Sequence, residues 1–224
     1  GCNYPLILGQ KYGSDKWEIL GASTIDYCLT FRKKFNPYYK SFIPVPCGRC
    51  AGCRMDYSRE WADRCCLEVM SGDLNRSYFL TLTYDDLSIP PNVSVQYSDV
   101  QLFLKRLRQR FGFFRYFGAS EYGDTTFRPH YHIILFDIDL PDLKFFNMKG
   151  GEPYFTSETI SNTWCKGNHL LTAFNFSTAS YVARYVFKKQ KGEGSQLYTD
   201  LGIYPPGSFM SLKPGIGAPY FDEH

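Results

Sequence analysis

The sequence has no apolar run approaching the ~20 residues that cross a bilayer, and no basic stretch leading into an apolar one near its start. A membrane span and a secretory leader are therefore not expected, and the chain reads as soluble and intracellular. It also lacks internal repeats and low-complexity tracts, which excludes a solenoid or an array of linkers. Net charge is only +3 and the pI about 8.3, below the domain pI above ~9 that is the usual footprint of a nucleic-acid binder, so total charge identifies no partner. Histidine is scarce, with four in 224 residues, and two of these stand two positions apart.

What is present is a chain 44% apolar, ample for a packed core, with 18% aromatic residues that suit strands and also offer flat faces to unpaired bases. Charge is segregated. Lys105, Arg106, Arg108, Arg110 and Arg115 cluster without an acidic neighbour, as do Arg184, Lys188, Lys189 and Lys191, whereas Asp85-Asp86 and the stretch from Asp137 to Asp142 are acidic. This pattern implies one positive face. The eight cysteines, in a reducing compartment, point to metal chemistry before disulfides.

Residues 1–46 show no regular period and read as an N-terminal extension. Asp56 to Met70 has apolar positions at helical spacing, with Glu60 four residues before Arg64. Ser77 to Tyr84 reads as a buried strand, stopped by Asp85-Asp86 and Pro90-Pro91. Ser98 to Gln101 resembles a capping box that starts a basic helix from Asp99 to Phe111, before Gly112. Phe113 to Ala119 and His130 to Asp137 form a hairpin across the polar turn of residues 123–129. A variable loop follows, then a strand from His169 to Phe176 and a helix from about Ala179 to Gln190, capped by Ser177-Thr178. Strands and helices alternate around antiparallel connections, so the fold class is α+β. The organisation is residues 1–55 as an extension with a cysteine knuckle, 56–192 as the main domain and 193–224 as a C-terminal extension.

Within Arg128-Pro-His-Tyr-His132 the strand period puts His130 and His132 on one face, within reach of one cation. Glu121, just before the hairpin turn, returns close to His130 as a third ligand. Two imidazoles and a carboxylate leave positions open for a phosphate oxygen, and a hard divalent ion there acts as a Lewis acid. Tyr181 and Tyr185 are four apart and so neighbours on a helix face. A tyrosine of ordinary pKa about 10 needs cations nearby to act as a nucleophile, and Arg184 and Lys188 each follow a tyrosine by three residues. The spacing of Lys188 favours Tyr185 for a first cut. Cys47-Gly-Arg-Cys50-Ala-Gly-Cys53 carries two C-x-x-C spacings and looks like a structural zinc knuckle missing one local ligand. Cys28 and Cys165 are possible fourth ligands, and Cys65-Cys66 read as small core residues.

These motifs, in order, resemble the HUH superfamily of rolling-circle replication initiators, most closely those of microvirus phages of the gokushovirus-like branch. Phe79 to Tyr84 is similar to the family's first motif, Arg128 to His132 to its histidine-hydrophobe-histidine motif, and Tyr181 to Lys189 to its nucleophile helix; the match covers about residues 47–190. The resemblance implies an antiparallel sheet with the metal-binding strand at its centre, flanked by helices, one of them carrying the tyrosines. It makes residues 56–192 an endonuclease domain with a Mn²⁺ or Mg²⁺ ion on Glu121, His130 and His132, and a zinc ion on Cys47, Cys50, Cys53 and Cys2.

The implied reaction is nicking and rejoining of a single-stranded DNA origin through a 5′-phosphotyrosine, with two alternating nucleophiles. Lys188 and Lys189 would contact the scissile phosphate, and Arg184, Arg128, Lys105 and Arg106 the DNA. Host helicase and polymerase would be partners, in the cytoplasm of an infected bacterium. A relaxase or transposase of the same superfamily is an alternative, although relaxases place the tyrosine near the N-terminus and transposases commonly use one. A zinc-stabilised module whose tyrosines only stack bases is the other.

Overall fold

The computed structural model describes residues 1–22, 38–186 and 193–223, which divide into two compact units, 1–57 and 58–224. In the first unit three strands, β1 (Leu6–Lys11), β2 (Trp17–Ala22) and β3 (Tyr39–Val45), form an antiparallel sheet in the order β2-β1-β3. Sequence patterning gave an irregular extension here. The strands are only six or seven residues long and interrupted by Gly9, Gly21 and Pro44, too little for a period of two to emerge. Helix α1 (Ala51–Met70) begins five residues before the expected Asp56, because the cysteine knuckle itself forms its first turn, with Arg54 N–H donating to the Cys50 carbonyl.

In the second unit seven strands form one sheet in the order β10-β5-β6-β4-β9-β8-β7, with all neighbours antiparallel. They are β4 (Tyr78–Thr83), β5 (Arg115–Tyr122), β6 (Pro129–Phe136), β7 (Leu143–Lys149), β8 (Glu152–Ser157), β9 (His169–Ala173) and β10 (Gly207–Met210). The expected α+β class with a large antiparallel sheet is what the chain adopts. The hairpin β7–β8 occupies the stretch read as a variable loop. Its two-residue turn, Gly150-Gly151, has positive φ at both positions, which primed hairpin turns require. Strand β10 belongs to the segment after residue 192, so part of that segment is built into the sheet.

Strand β6 is interior, between β5 and β4, and its alternating side chains feed two cores. Tyr131, Ile133 and Leu135 face helix α2 (Tyr97–Phe111) and helix α3 (Glu158–Trp164), where Phe103, Leu107 and Trp164 are fully buried. Ile134 and Phe136 face the other way, toward Ala62, Cys65 and Val69 of α1 and Ala179, Val182 and Ala183 of helix α4 (Phe176–Ala183). Two short helices, α5 (Glu193–Asp200) and α6 (Ala218–Glu223), complete the chain.

Three boundaries differ from expectation for reasons the structure makes plain. Helix α2 starts two residues early at Tyr97, and its N-cap Gln96 makes no side-chain cap; instead the buried Tyr131 hydroxyl bonds both the N–H and the C=O of Gln96. The capping box at Ser98 does not form, since Ser98 already lies inside the helix. Asn175, with Thr178, supplies the capping box of α4, so β9 stops at Ala173 and the helix starts at Phe176. The helix ends at Ala183, with 3₁₀-type bonds from Tyr185 N–H to Val182 and from Val186 N–H to Ala183; the expected continuation over 187–190 lies outside the described residues.

Candidate functional site

The β5–β6 register sets Glu121 directly opposite His130, and His132 lies two residues along the same face. Across β6 on its other side, Thr81 of β4 stands opposite His132. Helix α4, packed over this face, adds Tyr181. The four groups converge on one oxygen: Glu121 Oε1 is 2.5 Å from His130 Nε2, 2.8 Å from His132 Nε2 and 2.6 Å from the Tyr181 hydroxyl, which donates to it. The ligand atoms of Glu121, His130 and His132 lie within 4.8 Å of one another.

The opposite ring nitrogens orient the imidazoles. His130 Nδ1 is 3.2 Å from the Arg128 carbonyl, which only accepts, so Nδ1 carries the proton and a neutral His130 turns the lone pair of Nε2 toward Glu121. A lone pair facing a carboxylate at that distance calls for a positive charge between or beside them, either a proton or a metal ion. His132 Nδ1 is held 3.0 Å from Thr81 Oγ1, and Phe79 stacks on the His132 ring at 5.3 Å. Second partners of this kind fix the ring and the tautomer at metal centres.

The titrations agree with a site built for a cation. Burial alone would push the Glu121 carboxyl up, but bonds from His130, His132 and Tyr181 outweigh it and hold it well below the usual range. Burial lowers His130, yet its bond to Glu121 wins and raises it above its ordinary value. For the more deeply buried His132 burial wins over Glu121, and the imidazole is lowered and neutral. Tyr181 is raised well above its ordinary value by burial and then by Glu121, opposed by Arg184, whose guanidinium lies 4.3 Å from the ring centre. The carboxylate that holds the phenol proton is also a ligand candidate, so a bound cation would weaken that hold.

The remaining candidates are spread more widely. Tyr185 has its ring centre 6.1 Å from that of Tyr181 but is buried in the core beneath α4, one turn past the helix end. Arg128 bonds the Asp86 carboxylate at 2.7 Å and the Tyr84 carbonyl at 3.0 Å. Lys105 and Arg106 are exposed on α2, which covers the opposite face of the sheet, so they do not join the histidine cluster. Lys188 and Lys189 lie outside the described residues. His169 accepts from the Ser157 N–H at 2.9 Å, a structural bond. The sequence reading took Phe79 to Tyr84 as a structural strand and missed Thr81 and Phe79, although their period-two spacing puts them on one face of it.

In the first unit Cys2, Cys47, Cys50 and Cys53 bring their sulfurs within 4.8 Å of one another. The Cys2–Cys50 and Cys47–Cys53 separations are 3.8 and 3.9 Å. Zinc–sulfur bonds of about 2.3 Å in a tetrahedron place sulfurs about 3.8 Å apart. Backbone N–H groups point at these sulfurs: that of Cys47 at Cys2, those of Arg49 and Cys50 at Cys47, and those of Cys53 and Asn3 at Cys50. The Cys53 and Asn3 amides lower the Cys50 thiol to about 6, a thiolate near neutral pH. The four-cysteine set fits a tetrahedral ion. Cys165 is exposed at the end of α3, outside this set, and Cys28 lies outside the described residues; Cys65 and Cys66 pack in or against the core.

Comparison with known proteins adds identity to this geometry. The chain is 38% identical over 205 residues to the replication-associated protein ORF2 of Spiroplasma virus 4, and 35% identical over 202 residues to the replication-associated protein VP4 of Bdellovibrio phage phiMH2K. Both alignments cover 86% of this chain and 62% of the relative, so the chain spans about three-fifths of the length of the curated relatives it matches. A third, the replication-associated protein ORF4 of Chlamydia phage 1, is 28% identical over 74% of this chain and 43% of its own length. No solved structure matches. The replication-associated protein ORF2 family matches residues 77–190, from the first strand of the large sheet through the tyrosine pair, and this chain belongs to that family.

Proposed function

We propose that the chain is a metal-dependent endonuclease that nicks and rejoins single-stranded DNA to start rolling-circle replication, through a covalent tyrosine–5′-phosphate intermediate. The observation that carries this reading is the convergence of two histidines and a tyrosine hydroxyl on Glu121 Oε1. His130, His132 and Glu121 would hold Mn²⁺ or Mg²⁺, which when bound polarises a phosphate oxygen.

The chain's own groups do the rest. The Tyr181 oxygen forms a bond to phosphorus as the bond from phosphorus to the 3′ oxygen breaks, leaving a free 3′-OH and a 5′-phosphotyrosine. The Tyr181 proton leaves toward Glu121, which already accepts it, and Arg184 over the ring offsets the phenolate charge. Because one ester replaces another, the 3′-OH can attack in reverse and reseal the strand. Spacing alone favoured Tyr185 for the first cut. Since it is Tyr181 whose hydroxyl reaches Glu121, we assign that cut to Tyr181 and the second to Tyr185. Lys188 and Lys189 remain candidates for contact with the phosphate, and Arg128 and Arg184 for the strand.

The same reading gives Cys2, Cys47, Cys50 and Cys53 a structural zinc, residues 56–192 the endonuclease role, and the 3′-OH to host polymerase and helicase in the cytoplasm of an infected bacterium. No helix among the described residues is long and apolar enough to cross a membrane. The test is incubation with a pool of single-stranded oligonucleotides and Mn²⁺. A covalent protein–DNA adduct that needs the metal is expected; DNA binding with no adduct under any divalent ion would favour a non-catalytic module.

A further inference from the structure

The turn of residues 123–128, which joins the two ligand strands, holds Phe127 at φ +53, a left-handed backbone that is strained for a bulky side chain. Two bonds lock it there: Phe127 N–H to the Gly123 carbonyl and Gly123 N–H to the Arg128 carbonyl. Its ring stacks on Tyr122 at 4.9 Å and 12°, and Tyr122 stacks in turn with Tyr198 at 5.8 Å and 20°. Phe127 is nevertheless 41% exposed, so this stack of rings ends in an open aromatic face three residues from His130.

The stack continues into a cavity. The Tyr122 hydroxyl donates to the Tyr204 carbonyl at 2.6 Å, while the Tyr204 ring is 64% exposed. With Tyr97, 45% exposed at the start of α2, and Phe209 of β10, Tyr204 lines a cavity of about 470 Å³, within the size of small-ligand sites. A folded chain gains little from an exposed phenylalanine on a left-handed backbone beside two half-open tyrosines. A single strand gains a great deal, since every base has a face to stack.

We propose that Phe127 and the cavity walled by Tyr97 and Tyr204 form a base-stacking track for the single strand flanking the scissile phosphate. This rests on the nuclease reading above. Open rings of this kind take bases without regard to sequence, and Arg128 next to Phe127 suits the backbone between them.

The experiment measures the dissociation constant of an oligothymidylate about 20 nucleotides long by fluorescence anisotropy, without divalent metal, for the parent, Phe127→Ala, Phe127→Trp and Tyr204→Ala. Mn²⁺ affinity and Tm are measured on the same samples. Phe127→Ala and Tyr204→Ala are each expected to weaken binding about 5- to 100-fold. Phe127→Trp should stay close to the parent, and metal affinity and Tm should hardly move. Affinities equal to the parent's in both alanine variants, or a loss of the same size in Phe127→Trp, would overturn the track. A parent that binds no oligonucleotide at all would remove the nuclease reading together with it, whereas a parent that binds while the variants match it removes the track alone.

Discussion

At the scale of the residue, the account turns on what holds His132 and His130 in place. The Thr81 hydroxyl is the group at His132 Nδ1, so Thr81→Val should weaken Mn²⁺ binding by about 10- to 100-fold while Thr81→Ser keeps it. Calorimetric titration reads this directly. The Glu121–His130 pair also sets a pH signature. Glu121 is depressed below its ordinary 4.5, so its contribution to stability is present above that value and lost as pH falls through the depressed one. His130 is raised above its ordinary 6.5, so its contribution is complete below 6.5 and lost as pH rises through the raised value. Without divalent metal, His130→Gln should therefore lower Tm most between about pH 4.5 and 6.5 and less above it. Melts with a chelator across that range test the sign, and an effect that grows with pH would contradict it. With metal the order reverses, because a proton on His130 competes with the ion. His130 and His132 were legible in the sequence from the strand period alone. The convergence of Tyr181 on the same oxygen was not, since α4 reaches Glu121 across 60 residues of chain.

At the scale of the element, one contact ties helix, sheet and C-terminal segment together. Glu68 of α1 is buried against Arg115 of β5 and also accepts from the Gly217 N–H at 2.7 Å, while Arg115 donates to the Pro214 and Gly215 carbonyls. Removing one partner of a buried pair strands the other, so Glu68→Ala should destabilise the chain by about 3–5 kcal/mol, readable from denaturant unfolding. A change within about 0.5 kcal/mol, the size of an ordinary surface substitution, would refute this role. Elements set by local pattern were readable. Strand β6 is apolar on both faces beyond its histidines, and α1 carries a clear helical period over its second half. Elements set by distant partners were not. The start of α2 is fixed by Tyr131, 35 residues away, while Ser98 to Gln101 offers a local capping signal that the fold does not use. The β7–β8 hairpin hides because β7 is exposed on nearly every residue, leaving no alternation to read.

At the scale of the whole molecule, two metal centres of different chemistry sit in two units: sulfur ligands in 1–57, nitrogen and oxygen ligands in 58–224. Protein prepared without chelator should carry about one zinc per chain, lost in Cys50→Ser together with part of the thermal stability. Elemental analysis showing no zinc in the parent, or full retention in Cys50→Ser, would rule out the knuckle. The cysteine triplet was legible from its spacing, and Cys2 came only with the family resemblance, since 45 residues separate it from Cys47. The central claim is that a tyrosine beside a His–Glu–His metal site cuts DNA and keeps the 5′ end. It is tested most directly by identifying the peptide joined to DNA after reaction with Mn²⁺ and a cleavable single strand, by protease digestion and mass spectrometry. The account predicts the adduct on the peptide holding Tyr181, strongly reduced in Tyr181→Phe with the remainder on Tyr185, and none in the double variant. An adduct on any other residue, or one that persists when both tyrosines are replaced, would contradict it.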